Sequence, residues 1–270
     1  MSAPRQIGFP PPLLSDRPLR LPVVWDDALG FALAKPAGLQ VLPDNWYPRS
    51  PSLVDALNYQ AAQGKGELQR LGLSEAGARA IFQTEAELAG LTLFAKDFET
   101  GEFWSNAYGS RQFELKVLLL SGRAPRGEET LHCDLPLARH QTRPEMLVSH
   151  KSGKKCETHF RRLQDLGRFS LWEATTPYLR MHQIMLHAFE VGLGVVGDRR
   201  YAGEGPLYLS QLKRTFMPKG DEEEAPLYPG PAMYLAEMMV PMPEGGPVTI
   251  AMDHPKRFNA LLRSLLRHGR

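Results

Sequence analysis

Cysteine is nearly absent from this chain: of its 270 residues only Cys133 and Cys156 carry a thiol. Two thiols cannot build a disulfide framework, and such sparse use fits a reducing compartment, which makes the cytoplasm the expected location. Long apolar runs are missing too. The segment Leu88 to Ala95 is stopped by Lys96 and Asp97, short of the roughly 20 residues a membrane helix needs, so no membrane span is expected. The start, Met1 to Leu14, is broken by Pro4, Pro10, Pro11 and Pro12 and holds no apolar stretch of signal-peptide length. Charge of one sign is lacking: 32 basic and 30 acidic residues leave +2, so attraction to a polyanion must come from local clustering. Internal repeats and a Ser/His/Asp signature are absent, and Gly192 to Gly197, GLGVVG, lacks the preceding strand and spacing of a phosphate-cradling loop.

What is present is a chain with 43% apolar residues, enough to bury the core of one sizeable domain. Ser50 and Pro51 open a helix that Leu53, Val54, Leu57 and Ala61 carry to about residue 62. Leu115 to Leu120 is a short β-prone run ending at Ser121 and Gly122, and Phe169 to Thr176 lies between Gly167 and Pro177; both predict strands. Pro255 opens a terminal helix with Phe258, Leu261, Leu262, Leu265 and Leu266 on one face. Loops are expected at the proline-rich start, at Ser121 to Glu129 and at Met217 to Pro231. Helices and strands interleave without the alternation of a parallel sheet, which predicts an α+β fold.

Three blocks carry more than fold information. The first, Leu33 to Pro43, reads LAKPAGLQVLP; Pro36 fixes one backbone angle and Gly38 permits a positive one, so a rigid turn is expected. The second, Phe82 to Lys96, reads FQTEAELAGLTLFAK, and the third, Arg180 to Tyr201, reads RMHQIMLHAFEVGLGVVGDRRY. In that order and spacing they resemble the signature blocks of the RluA family of pseudouridine synthases. The first is similar to K-P-x-G-L-x-V-x-P. The second keeps Gly90, Leu91, Leu93, Ala95 and Lys96 of H-R-L-D-x-x-T-S-G-L-L-L-x-A-K. The third matches G-R-T-H-Q-I-R-x-H-L and V-G-D-x-x-Y at Arg180, His182, Gln183, Ile184, His187, Gly197, Asp198 and Tyr201. Thr158, Phe160, Arg161 and Leu163 fit the strand leading into it.

The resemblance implies a mixed, mainly antiparallel sheet flanked by helices around a central RNA-binding cleft, with residues 1–20 as an N-terminal extension to a domain over 21–270. No small RNA-binding appendage is expected before Leu21. It also implies isomerisation of a uridine in structured RNA, ribosomal or transfer, by breaking the glycosidic bond and rejoining the base through carbon. No cofactor and no metal are implied. The chemistry-bearing half of the second block departs from the family: Phe82 stands for the histidine, Gln83 for the arginine, Glu85 for the catalytic aspartate, and Leu88 and Ala89 for threonine and serine. Leu179 and Met185 replace a glycine and an arginine in the third. The base-stacking tyrosine falls on Lys116, or on Val117 if the register slips by one. Catalytic candidates are therefore Glu85, Arg180 and Lys116. Two arrangements stay open: a Glu85–Lys116 ion pair that fills the uracil site, or Glu85 reaching the sugar with Arg180 as partner. Impaired chemistry is expected, because coupled catalytic parts act as a unit. The alternatives are an RNA-binding module without chemistry and, behind it, a protein-interaction scaffold.

Candidate RNA contacts are Lys35, Arg139, Arg143, Lys151, Lys154, Lys155, Arg199 and Arg200, as basic side chains suit phosphates. Their bland reading is a solvated face, and for Lys35 a structural turn. His132, Cys133, Cys156 and His159 have the residue types of a zinc site. Adjacent ligands at 132 and 133 close poorly around a tetrahedral ion, and positions 156 and 159 point to opposite faces of a strand, so no metal is expected. His182 and His187 are expected to be packed framework. The protein is expected to be a monomer.

Overall fold

The computed structural model describes residues 5–125, 127–213, 215–216 and 223–268. The chain divides into two compact units, the first of residues 1–115 and 235–252, the second of 116–234 and 253–270.

The first unit opens with β1 (Gln6–Phe9), β2 (Leu19–Asp26) and β3 (Gly30–Lys35), followed by α1 (Leu53–Ala62), α2 (Gly66–Arg70), β4 (Arg79–Ala80), β5 (Ala89–Ala95) and α3 (Phe98–Gly109). The chain then passes along β6 (Glu114–Arg123) into the second unit. There it forms β7 (Thr130–Cys133), β8 (Leu137–Arg139), β9 (Met146–Val148), β10 (Thr158–Leu166), β11 (Phe169–Thr176), α4 (Gln183–Glu190), β12 (Gly194–Val195) and α5 (Leu209–Leu212). It returns to the first along β13 (Met233–Val240), adds β14 (Val248–Ala251), and ends in the second with α6 (Lys256–His268).

Within the first unit the strands run in the order β1, β2, β3, β5, β13, with β4 on β5 and β14 on β13. The β1–β2, β2–β3, β3–β5, β4–β5 and β13–β14 pairs are antiparallel, Lys35 of β3 lying opposite Gly90 of β5. The core sits between this sheet and the helices, with Phe31, Leu33, Leu53, Leu57 and Phe94 fully buried. Residues 6–9, set apart as an extension by the sequence, belong to this core: Ile7 and Phe9 are buried and β1 pairs with β2. Pro10, Pro11 and Pro12 follow the strand rather than interrupt it, and Pro4 lies outside the described residues. The predicted helix over 51–62 is α1, with Ser52 rather than Ser50 as its cap, its hydroxyl accepting from the Asp55 amide.

Within the second unit the order is β6, β11, β10, β7, with β12 on β6 and a separate β8–β9 ribbon. The strand predicted over 169–176 has those bounds. The one predicted over 115–120 continues to Arg123 because Gly194 and Val195 pair with its end. Helix α6 buries Phe258, Leu261, Leu262 and Leu265, the Phe258 ring meeting Tyr234 and Tyr228 at 4.9 and 5.8 Å. Of the expected loops, residues 126 and 217–222 lie outside the described residues. The architecture is thus α+β with a mainly antiparallel sheet and few helices. Among the described residues no helix is long and apolar enough to cross a membrane.

Candidate active site

Residue 85 sits on the turn that leads into β5. The Leu88 amide donates to the Glu85 carbonyl at 3.2 Å, and the Gly38 amide of the first block donates to the Ala86 carbonyl at 2.7 Å. The first two blocks therefore meet side by side. Lys35, at the end of β3, reaches under this turn: its ammonium donates to the carbonyls of Leu39 at 2.9 Å, Ala86 at 3.1 Å and Pro36 at 3.5 Å. It is only 3% exposed, as is Glu85. Burial pushes the Lys35 pKa down to about 8, against the pull of the Glu85 and Glu87 carboxylates. Sequence reading left Lys35 open between a phosphate contact and a structural turn. The structure puts its ammonium among carbonyls and close in charge to Glu85, away from solvent.

Two glycines make this packing possible. Gly38 adopts φ +94°, as its turn requires. Gly90 adopts φ +109°, and a Cβ there would stand 2.2 Å from the Leu235 carbonyl oxygen. Lys96 closes the block from below, its ammonium paired with Asp26 at 2.7 Å and bonded to the Asp27 carbonyl. Around Glu85 the altered positions are packed: Phe82 stacks on Tyr108 at 5.1 Å, and Thr84, Leu88 and Ala89 are buried. The buried Gln83 Nε2 has no hydrogen-bond partner among the described residues.

The third block belongs to the second unit and is knitted by hydrogen bonds. Gln183 Nε2 donates to the Glu157 carbonyl at 3.0 Å and to the hydroxyls of Thr158 and Thr176 at 3.0 and 3.1 Å. Thr158 in turn meets His187 Nδ1 at 2.9 Å, and His187 Nε2 meets the Leu135 carbonyl at 2.9 Å. A carbonyl only accepts, so Nε2 holds the proton of a neutral ring. Burial lowers the His187 pKa in agreement. His182 takes φ +55° and bonds the Tyr201 hydroxyl at 2.9 Å, which also accepts from the Met146 amide. Asp198, 1% exposed, accepts from the amides of Arg200, Tyr201 and Ala202. Gly197 at φ +83° leaves no room for a Cβ, which would stand 2.1 Å from the Gly230 carbonyl. His182 and His187 are thus packed and bonded, as a framework role requires.

Arg180 is half-buried, its guanidinium 4.8 Å from the Tyr178 ring and donating to the Lys155 carbonyl at 3.3 Å. On β6, Lys116 is half-buried while Leu115 and Val117 are fully buried.

The basic candidates gather around the β8–β9 ribbon. Its register sets Arg139 opposite Met146, and Leu137 exchanges backbone bonds with Lys154. Arg139, Arg143, Lys151, Lys154 and Lys155 are all exposed. Arg143 lies 3.6 Å from Glu145, and Arg200 donates to the Pro144 carbonyl at the ribbon's tip. Arg199 is exposed on the neighbouring loop.

No family model matches the chain. Known proteins do. The chain is 25% identical over 253 residues to an uncharacterized RNA pseudouridine synthase of Synechocystis, covering 90% of this chain and 68% of that one. It is 27% identical to the ribosomal large subunit pseudouridine synthase D of Zymomonas mobilis, over 67% of this chain and 56% of that one. The solved human RNA pseudouridylate synthase domain containing 4 matches its fold with a TM-score of 0.68 at 17% identity, over 91% of this chain and 92% of that one. Sequence likeness and fold agree: the chain resembles the pseudouridine synthases.

It spans half to two thirds of the length of the curated relatives it matches. Against this family the division of labour within the blocks is physical. The residues that agree with the family pattern hold the backbone: Gly38 supplies a positive φ, and Lys35, Gly90, Lys96, Gln183, His187, Gly197 and Asp198 each satisfy a buried group or a close approach. Sequence reading missed that Lys35 is a charge neighbour of Glu85. The pairing of Ala32–Lys35 with Gly90–Leu93, which brings the two blocks together, leaves no signal in the sequence alone.

Proposed function

We propose that this protein binds structured RNA, ribosomal or transfer, in the cytoplasm and isomerises a uridine in it at a reduced rate, with Glu85 as the reacting carboxylate. The observation that carries this reading is the buried Glu85 turn clamped by Lys35. That lysine supplies a positive charge beside the acid where Gln83 cannot, and Arg180 and Lys116 serve as further charges toward the nucleotide. The reaction breaks the bond from the sugar to the base nitrogen and forms one to a base carbon, whose proton leaves. It needs no outside oxidant or cofactor. One methylene more than aspartate displaces the carboxylate by about 1 Å, which costs roughly a hundredfold in rate. Arg139, Arg143, Lys151, Lys154, Lys155, Arg199 and Arg200 track the phosphates, and the protein acts as a monomer.

A second reading, RNA binding without chemistry, is favoured by Phe82, which stacks on Tyr108 where the family has a polar histidine. Pseudouridine mapping of total RNA from cells with and without the gene separates the two. The proposal expects a site lost on deletion and restored by the wild type but not by Glu85→Gln. An unchanged map contradicts it.

A further inference from the structure

Strand β7 is the edge of the second unit's sheet, and its register with β10 puts His132 opposite His159 and Cys133 opposite Thr158. Directly opposed residues of an antiparallel pair share a face, and their neighbours take the other. The four residues that sequence reading weighed as one ligand set therefore separate. Cys133 and Cys156 are buried, while His132 and His159 are exposed, their rings stacked 4.3 Å apart at 22°. Glu157, two residues before His159, joins them. One ligand atom from each of His132, Glu157 and His159 lies within 4.8 Å of the others. A shallow cavity of about 410 Å³ opens over the two histidines, flanked by Thr130, Arg161, Glu173 and Thr175.

Two imidazoles and a carboxylate form a donor set suited to a borderline divalent ion, and catalytic or open zinc sites use three such ligands with water in the remaining position. The carboxylate that lines the cavity, Glu173, is paired with Arg161 at 2.9 Å, so the cation of that pair is neutralised rather than aimed at the ion. We propose that His132, Glu157 and His159 bind a divalent transition-metal ion, zinc foremost, which ties the edge strand β7 to β10. Ligand atoms sharing a tetrahedral zinc at about 2.0–2.1 Å stand about 3.4 Å apart. The proposal requires the two exposed imidazoles to rotate toward the Glu157 carboxylate to close that gap. An ion that binds only where the two strands are paired stabilises the folded chain by mass action. This site lies wholly in the second unit and does not depend on the chemistry of Glu85.

The test uses the full chain without a histidine tag, titrated with zinc chloride in a calorimeter and melted with and without the ion. One equivalent should bind and raise the melting temperature. His132→Ala and His159→Ala, both at exposed positions, should each weaken binding by about tenfold or more and remove the rise. Cobalt substituted for zinc should show d–d bands without a sulfur-to-metal charge-transfer band. Absence of binding, binding unchanged in both histidine variants, or a sulfur charge-transfer band assigning the ion to the thiols would each overturn the proposal.

Discussion

Burial costs Lys35 part of its basicity, and this gives the Glu85 turn a pH signature. Its pKa falls from an ordinary 10.5 to about 8, mainly through desolvation. Below pH 8 the folded and unfolded chains both carry the proton. Between about pH 8 and 10.5 the folded chain releases it while the unfolded chain keeps it, so the unfolded state binds more protons and stability rises with pH. The shift corresponds to about 3 kcal/mol across that window. Urea denaturation of the wild type and Lys35→Met should give stability curves that diverge between pH 8 and 10.5, with the rise only in the wild type. Parallel curves would contradict the burial of a charged lysine. The substitution should also lower stability below pH 8, because the carbonyls of Leu39 and Ala86 lose their donor.

At the scale of elements, β3 and β5 hold the acid turn and the β8–β9 ribbon carries the charges. Gly90→Ala forces a Cβ into the Leu235 backbone at a positive φ. Strain and overlap together should lower stability by about 3 kcal/mol, read from the urea midpoint at unchanged slope. On the ribbon, Arg139→Ala and Lys154→Ala should each reduce the salt slope of RNA binding by about 0.7–0.9 and weaken all RNA sequences alike. Unchanged slopes would move the phosphate track elsewhere.

These elements also mark what a sequence can reveal. Phe169–Thr176 was legible because Gly167 and Pro177 punctuate it on both sides, and α6 because its apolar face repeats at helical spacing. Strand β1 was not legible, since Ile7 and Phe9 become strand only through pairing with β2. The end of β6 was hidden for the same reason, its partner β12 lying some 70 residues on. At the site, the identities of the altered residues were plain, but the burial of Lys35 and the meeting of His132 with His159 depend on registers between distant strands.

For the whole molecule, a formal charge of +2 offers little general attraction to RNA. Affinity then rests on where cations cluster, and turnover on one carboxylate. The positions that agree with the family's pattern account for much of the framework within each unit. The positions around residue 85 are where this chain departs from the family's pattern. The most direct test is pseudouridine formation in unmodified ribosomal RNA by purified wild type, Glu85→Gln and Glu85→Asp, with RNA binding measured in parallel. The account predicts equal binding by all three, slow product from the wild type, none from Glu85→Gln, and more from Glu85→Asp. Equal product from wild type and Glu85→Gln would contradict it.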